Sequence, residues 1–147
     1  MAKKDSLKIA IIDNNFVLRQ TFRNLLKDET EKNFSVPFSI VSAQNGVEGL
    51  GLIFATNPDI IIVDSTLPKY SGENIYHFLE NNPRFEETTI IVLNDGEKKI
   101  DGRSTKFPVI NKNKSDFAKQ LKEIIRASYS VYLRKDQNKL GLEKAKT

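Results

Sequence analysis

The sequence predicts a doubly wound α/β domain, with five parallel strands in the order 2-1-3-4-5 and helices on both faces. Three observations predict it. Strand-like and helix-like patterns alternate along the whole chain. The run Asp59–Val63 is apolar on both faces, as a central parallel strand must be. The length of 147 residues, 39% hydrophobic and 29% charged, suits one domain with a proper core and is too short for two ordinary ones.

Leu7–Ile12 is a short β-rich run and reads as the first buried strand. Leu18, Phe22, Leu25 and Leu26 then recur at helical spacing, giving an amphipathic helix of about three turns. Asn14 or Asn15 can cap its start. Glu31–Pro37 reads as polar linker and Phe38–Ala43 as the second strand. Asn45-Gly46 turns into a helix over Val47–Thr56, where Gly49 and Gly51 each cost about 1 kcal/mol relative to Ala. Close packing on the sheet accounts for one of the two.

Asn57-Pro58 stops that helix before the central strand. Leu67 to Gly72 is a loop, followed by a helix with Ile75, Phe78 and Leu79 inward, ended by Pro83. Thr89–Leu93 and Phe107–Ile110 are the fourth and fifth strands. Only Asp95 to Lys106 joins them, so a fourth helix is short or missing. The last helix starts near Ser115, a good N-cap, and turns Phe117, Leu121, Ile124 and Ile125 inward. The expected domain is 1–128, with a basic helix extension and tail over 129–147.

Composition excludes several classes. There is no cysteine, hence no disulfide, thiolate zinc site or cysteine nucleophile. The longest apolar runs fall far short of the roughly 20 residues of a membrane span, and the run after the basic start is too short for a signal peptide. A cytoplasmic protein is expected. The net charge is +4, and the segment from Arg126 to Thr147 is basic, which reads as a solvated terminus. No zinc-finger spacing, RNA-recognition motif or helix-turn-helix signature appears, so no nucleic-acid or membrane partner is expected. His77, the single histidine, reads as solvent-facing, and Tyr129 and Tyr132 as packing for the last helix.

In the predicted strand order, ligands bind outside the carboxyl ends of the strands, at the switch between strands 1 and 3. Those ends carry Asp13-Asn14 and Asp64. The surrounding motifs resemble the receiver domain of two-component response regulators, a flavodoxin-like fold. Leu7 to Asn15 is similar to its first strand ending in an acidic pair, and Pro58 to Asp64 to its third strand ending in the phosphoacceptor. Asp64, Pro68 and Gly72 keep the family's spacing, and Asn45-Gly46-Val47-Glu48 resembles the start of its second helix.

The resemblance implies that Asp64 accepts a phosphoryl group. It implies Mg²⁺ held by Asp13, Asn14, Asp64 and the Thr66 carbonyl, since repelling carboxylates need a divalent cation. It also implies a lysine that pairs with the phosphoryl oxygens, and here Lys112 is favoured over Lys114. Asn94 takes the position of the hydroxyl that ends strand 4 in the family. Two residues depart from the pattern: Asn14 is an amide where a carboxylate is usual, which weakens the metal site, and Asn94 is larger than Ser or Thr.

Two readings follow. One is a phosphorelay receiver, not an enzyme, that takes a phosphoryl group from a histidine kinase or other phosphodonor and alters binding to a downstream protein. With no room for a DNA-binding output domain, its output would be a protein contact, and a homodimer stays open. The other is a pseudo-receiver, a phosphorylation-independent interaction module. A nucleotide or flavin binder is disfavoured, because Asp13-Asn14-Asn15 follows strand 1 where a Gly-rich phosphate loop would be needed.

Overall fold

The computed structural model describes residues 6–33, 37–94 and 106–130, with the backbone alone over 28–33. Its elements are β1 (Leu7–Ile12), α1 (Phe16–Asn33), β2 (Phe38–Ala43), α2 (Gly46–Thr56), β3 (Ile60–Asp64), α3 (Gly72–Glu80), a 3-10 turn at Pro83–Phe85, β4 (Thr89–Asn94) and β5 (Val109–Asn111). The sheet is parallel throughout and ordered β2-β1-β3-β4-β5, as the sequence predicts. Residues 117–130 form a further helix. The region expected to hold a short or missing fourth helix, 95–105, lies outside the described residues, as does the tail beyond 130.

β3 is buried along its whole length and β1 and β4 are buried on both faces apart from Lys8 and Thr89 near their starts, which is why they read as mainly apolar runs. One face contributes Ile12, Ile61, Val63, Ile90 and Val92 to a core with Ile53 of α2 and Ile75, Tyr76 and Leu79 of α3. Ile9, Ile11, Ile60, Ile62, Ile91 and Leu93 alternate with these and are equally buried. α1 packs against β2 and buries Phe22 and Leu26.

Three local readings are corrected. α1 runs to Asn33, well beyond three turns, because the polar stretch from Asp28 holds good helix formers and meets no proline before Pro37. Phe78 was expected inward, yet it is 39% exposed while Tyr76 is fully buried. Phe78 instead stacks edge-on against Phe54 of α2, whose ring also meets Phe85. In the last helix, Leu121, Ile125 and Tyr129 are the buried residues, whereas Phe117 and Ile124 are half-buried.

The glycines of α2 separate cleanly. A Cβ on Gly49 would come within 2.7 Å of the Ile12 side chain, whereas one on Gly51 would meet nothing. Close packing on the sheet therefore accounts for Gly49 alone.

Candidate functional site

The register Ile12↔Val63 makes β1 and β3 end side by side. Asp13, the residue after β1, and Asp64, the last of β3, therefore emerge together at the carboxyl edge, and both are buried. β5 ends at Asn111, and the next residue, Lys112, is tied to β4 by its N–H on the Asn94 carbonyl (2.7 Å). Its Nζ reaches Asp13 Oδ2 at 3.1 Å and Asp64 Oδ2 at 2.5 Å. Three residues from distant parts of the sequence thus meet at one point. Lys114 is exposed and forms no ion pair among the described residues, so Lys112 is the lysine brought to the carboxylates.

Each carboxylate has its second oxygen fixed by backbone. Asn15 N–H donates to Asp13 Oδ1 (2.9 Å), and Thr66 N–H donates to Asp64 Oδ1 (2.8 Å). Both are i to i+2 turns that Asp favours at strand ends. Asn15 also caps α1 by accepting from Leu18 N–H, which resolves the choice between Asn14 and Asn15. Arg19 of α1 donates to the Asp13 carbonyl at 2.6 Å. Asn15 was a cap candidate from the sequence, whereas its N–H bond to Asp13 and the Arg19 contact were not. The Asx-turn spacing could have indicated Asn15, whereas nothing local pointed to Arg19.

Gly72 lies against the backbone of Asp64, where a Cβ would fall 1.6 Å from the Asp64 carbonyl oxygen. The loop between them is anchored on α2, since Gly46 N–H and Val47 N–H donate to the carbonyls of Pro68 and Lys69. Lys69 and Tyr70 hold left-handed backbone, with φ of 49° and 82°, to make that approach. Asn94 is buried at the end of β4, Asn14 is exposed beside Asp13, and Thr66 is exposed beside Asp64. His77 lies on the surface next to Glu80.

Burial is the largest influence on Asp64 and raises its carboxyl above the ordinary range; the charge of Asp13 adds to this, while the Lys112 and Thr66 hydrogen bonds oppose it. For Lys112, burial is the largest single effect and pulls downward. The hydrogen bond to Asp64 and the charges of both carboxylates together outweigh it, so the ammonium is held above its ordinary value. With both carboxylates ionised, the cluster carries one net negative charge. It is chemically suited to a cation and to nucleophilic attack by a carboxylate.

The sequence matches the response regulator receiver domain over residues 9–106, from within β1 to beyond β4. The chain belongs to this receiver family. The protein PilG of Pseudomonas aeruginosa is 30% identical over 99 residues, covering 67% of this chain and 68% of that one. The chemotaxis protein CheY of Listeria monocytogenes is 32% identical over 66 residues, covering 45% of this chain and 50% of that one. In structure, the receiver resembles the chemotaxis response regulator CheY4 of Vibrio cholerae, with a TM-score of 0.66, 19% identity and coverage of 81% and 98%. The receiver domain of the Francisella response regulator 1452 is similar to the same degree, at a TM-score of 0.66, 23% identity and coverage of 88% and 99%. At such identities the two structures establish the fold, which is that of CheY-like receivers. Among the described residues of this receiver, no helix is long and apolar enough to cross a membrane.

Proposed function

We propose that this receiver accepts a phosphoryl group on Asp64 in a Mg²⁺-dependent phosphorelay. The observation that carries the reading is the convergence of Asp13 and Asp64 on the Lys112 ammonium. Such a site holds a nucleophilic carboxylate next to a cation that can pair with phosphoryl oxygens. A carboxylate oxygen of Asp64 forms a bond to phosphorus as the donor's bond to that phosphorus breaks. The leaving group takes the electron pair, and an acyl phosphate remains.

The donor set fits a hard divalent cation. Two carboxylate oxygens already face a common positive charge, and the Asn14 side chain forms no hydrogen bond among the described residues. Asp13, Asn14, Asp64 and the Thr66 carbonyl would hold Mg²⁺, which, when bound, supplies charge neutralisation for the carboxylates and the incoming phosphoryl oxygens. Lys112 then shifts its contacts toward the phosphoryl group, and Asn94 stands where a hydrogen-bonding reporter of that group is needed. The donor is a histidine kinase or another phosphodonor, the output is a changed protein contact, and the setting is cytoplasmic. The chain acts as a signalling domain, not as an enzyme, in a unit reaching residue 128 with a basic extension over 129–147.

A second reading, the pseudo-receiver, has its own support. Among the described residues no group of three or more His, Cys, Asp or Glu gathers to hold a metal, because Asn14 occupies the position of the third acid. The intact mass after incubation with acetyl phosphate and Mg²⁺ separates the two readings. One phosphoryl group, absent in Asp64→Asn and abolished by EDTA, is expected. An unmodified wild type under acetyl phosphate and under a phosphorylated kinase would favour the pseudo-receiver.

A further inference from the structure

At the carboxyl edge of the sheet, a cleft of about 260 Å³ opens between the loops that follow β1, β2 and β3. Asn14, Gln44, Asn45, Pro68 and Lys69 line it. All four polar side chains among these can donate hydrogen bonds, and none is a carboxylate. Asn14, Gln44 and Lys69 have side chains with no hydrogen bond or ion pair among the described residues.

Asn45 is more informative. It is 94% buried, at 6% exposure, and its Oδ1 is committed to the Glu48 N–H at the start of α2. Its Nδ2 forms no hydrogen bond among the described residues and keeps access to solvent, so this amide donor is available to a ligand. The first N–H groups of α2 are not on offer, since Pro68 and Lys69 carbonyls take those of Gly46 and Val47. The donors are therefore side chains gathered by three separate loops.

We propose that this cleft is an oxyanion subsite: Asn14, Gln44, Asn45 and Lys69 bind a small phosphate or carboxylate group at the same edge of the sheet as Asp13 and Asp64. Three amides and one ammonium, with no acid among them, match an acceptor-only ligand. The size is below the roughly 300–1,000 Å³ of sites for drug-sized ligands, so the group is small. Its source is either a free anion or the end of a small acyl phosphate. The subsite does not depend on Asp64 being phosphorylated.

The test uses the isotope-labelled full chain without Mg²⁺, titrated with sodium phosphate and, separately, with sodium acetate while amide resonances are followed. Saturable shifts of the Asn14, Gln44 and Asn45 side-chain amides and of the Lys69 N–H are expected, and Asp64→Asn should retain them. Lys69→Gln and Gln44→Ala should each weaken binding by about three- to tenfold. A preference for phosphate assigns a phosphoryl-type ligand and a preference for acetate a carboxyl-type one; both support the subsite. Shifts that never saturate, or affinity unchanged in both variants, would overturn it. Because inorganic phosphate cannot phosphorylate Asp64, a failure here leaves the phosphoacceptor reading standing, and the reverse also holds.

Discussion

Lys112 is the residue on which the site's electrostatics turn. It supplies the positive charge shared by Asp13 and Asp64, with its own side chain 14% exposed and theirs 1% and 9%. Removing one partner from a buried ion pair leaves uncompensated charge, which is costlier than the pair is favourable. Lys112→Met should therefore lose about 3 kcal/mol in urea unfolding at neutral pH. The raised value of Lys112 gives the pH dependence. Its stabilisation is fully present below 10.5, the unfolded value, and is lost as pH rises through the higher folded one. The gap between wild type and Lys112→Met should thus be full at about pH 7 and smaller at about pH 11. At this scale Asp13 and Asp64 were legible because two strand ends carried acids at the topological switch point. Lys112 and Lys114 were harder to separate, because so short a strand as β5 carries no local mark of where it ends.

At the scale of elements, helix α2 shows which sequence signals carry structural information and which do not. Two glycines in one helix look alike in sequence, yet one is a packing contact and the other is not. Gly49 sits on the Ile12 side chain, while Gly51 is exposed with open space around it. Gly51→Ala should stabilise the protein by about 0.5–1 kcal/mol, through reduced unfolded-state freedom and better helix propensity. Gly49→Ala should destabilise it by about 1–3 kcal/mol, as an overpacked contact between helix and sheet does. Thermal unfolding of the two variants side by side checks both signs. The same limit explains α3. Spacing alone allowed Phe78 to face inward, but the neighbouring Phe54 ring, which also meets Phe85, offers it an edge-on surface, and Tyr76 fills the core. Helix ends are equally hard to read: α1 had no stop signal after Asp28, so its length depended on where the chain must turn toward β2.

Over the whole molecule, the fold was legible because alternation of patterns and one fully apolar strand restrict the sheet to few orders. The site follows from the order, since the 2-1-3-4-5 arrangement sets β1 beside β3 and leaves Asp13 next to Asp64. Lys112 is 99 residues from Asp13 and 48 from Asp64, so the cluster exists only when the whole sheet is formed. A cation that binds the cluster then binds the native state alone and stabilises it by mass action. Mg²⁺ should raise the melting temperature of the wild type, and it should not do so for Asp13→Asn or Asp64→Asn. Asn14 decides how large the rise is. It is exposed at the site's edge and forms no bond among the described residues, so replacing its amide by a carboxylate disturbs no packing. The change adds one negative charge to a site that now offers two carboxylates against one ammonium, and Mg²⁺ affinity follows ligand charge. Asn14→Asp should therefore tighten Mg²⁺ binding by about tenfold, which at saturating wild-type concentrations corresponds to about 1.4 kcal/mol of added stabilisation. Calorimetric titration and the Mg²⁺ dependence of the melting temperature both read it. An unchanged affinity would place the ion away from Asn14 and would leave Asp13, Asp64 and the Thr66 carbonyl as the whole protein contribution to the metal site.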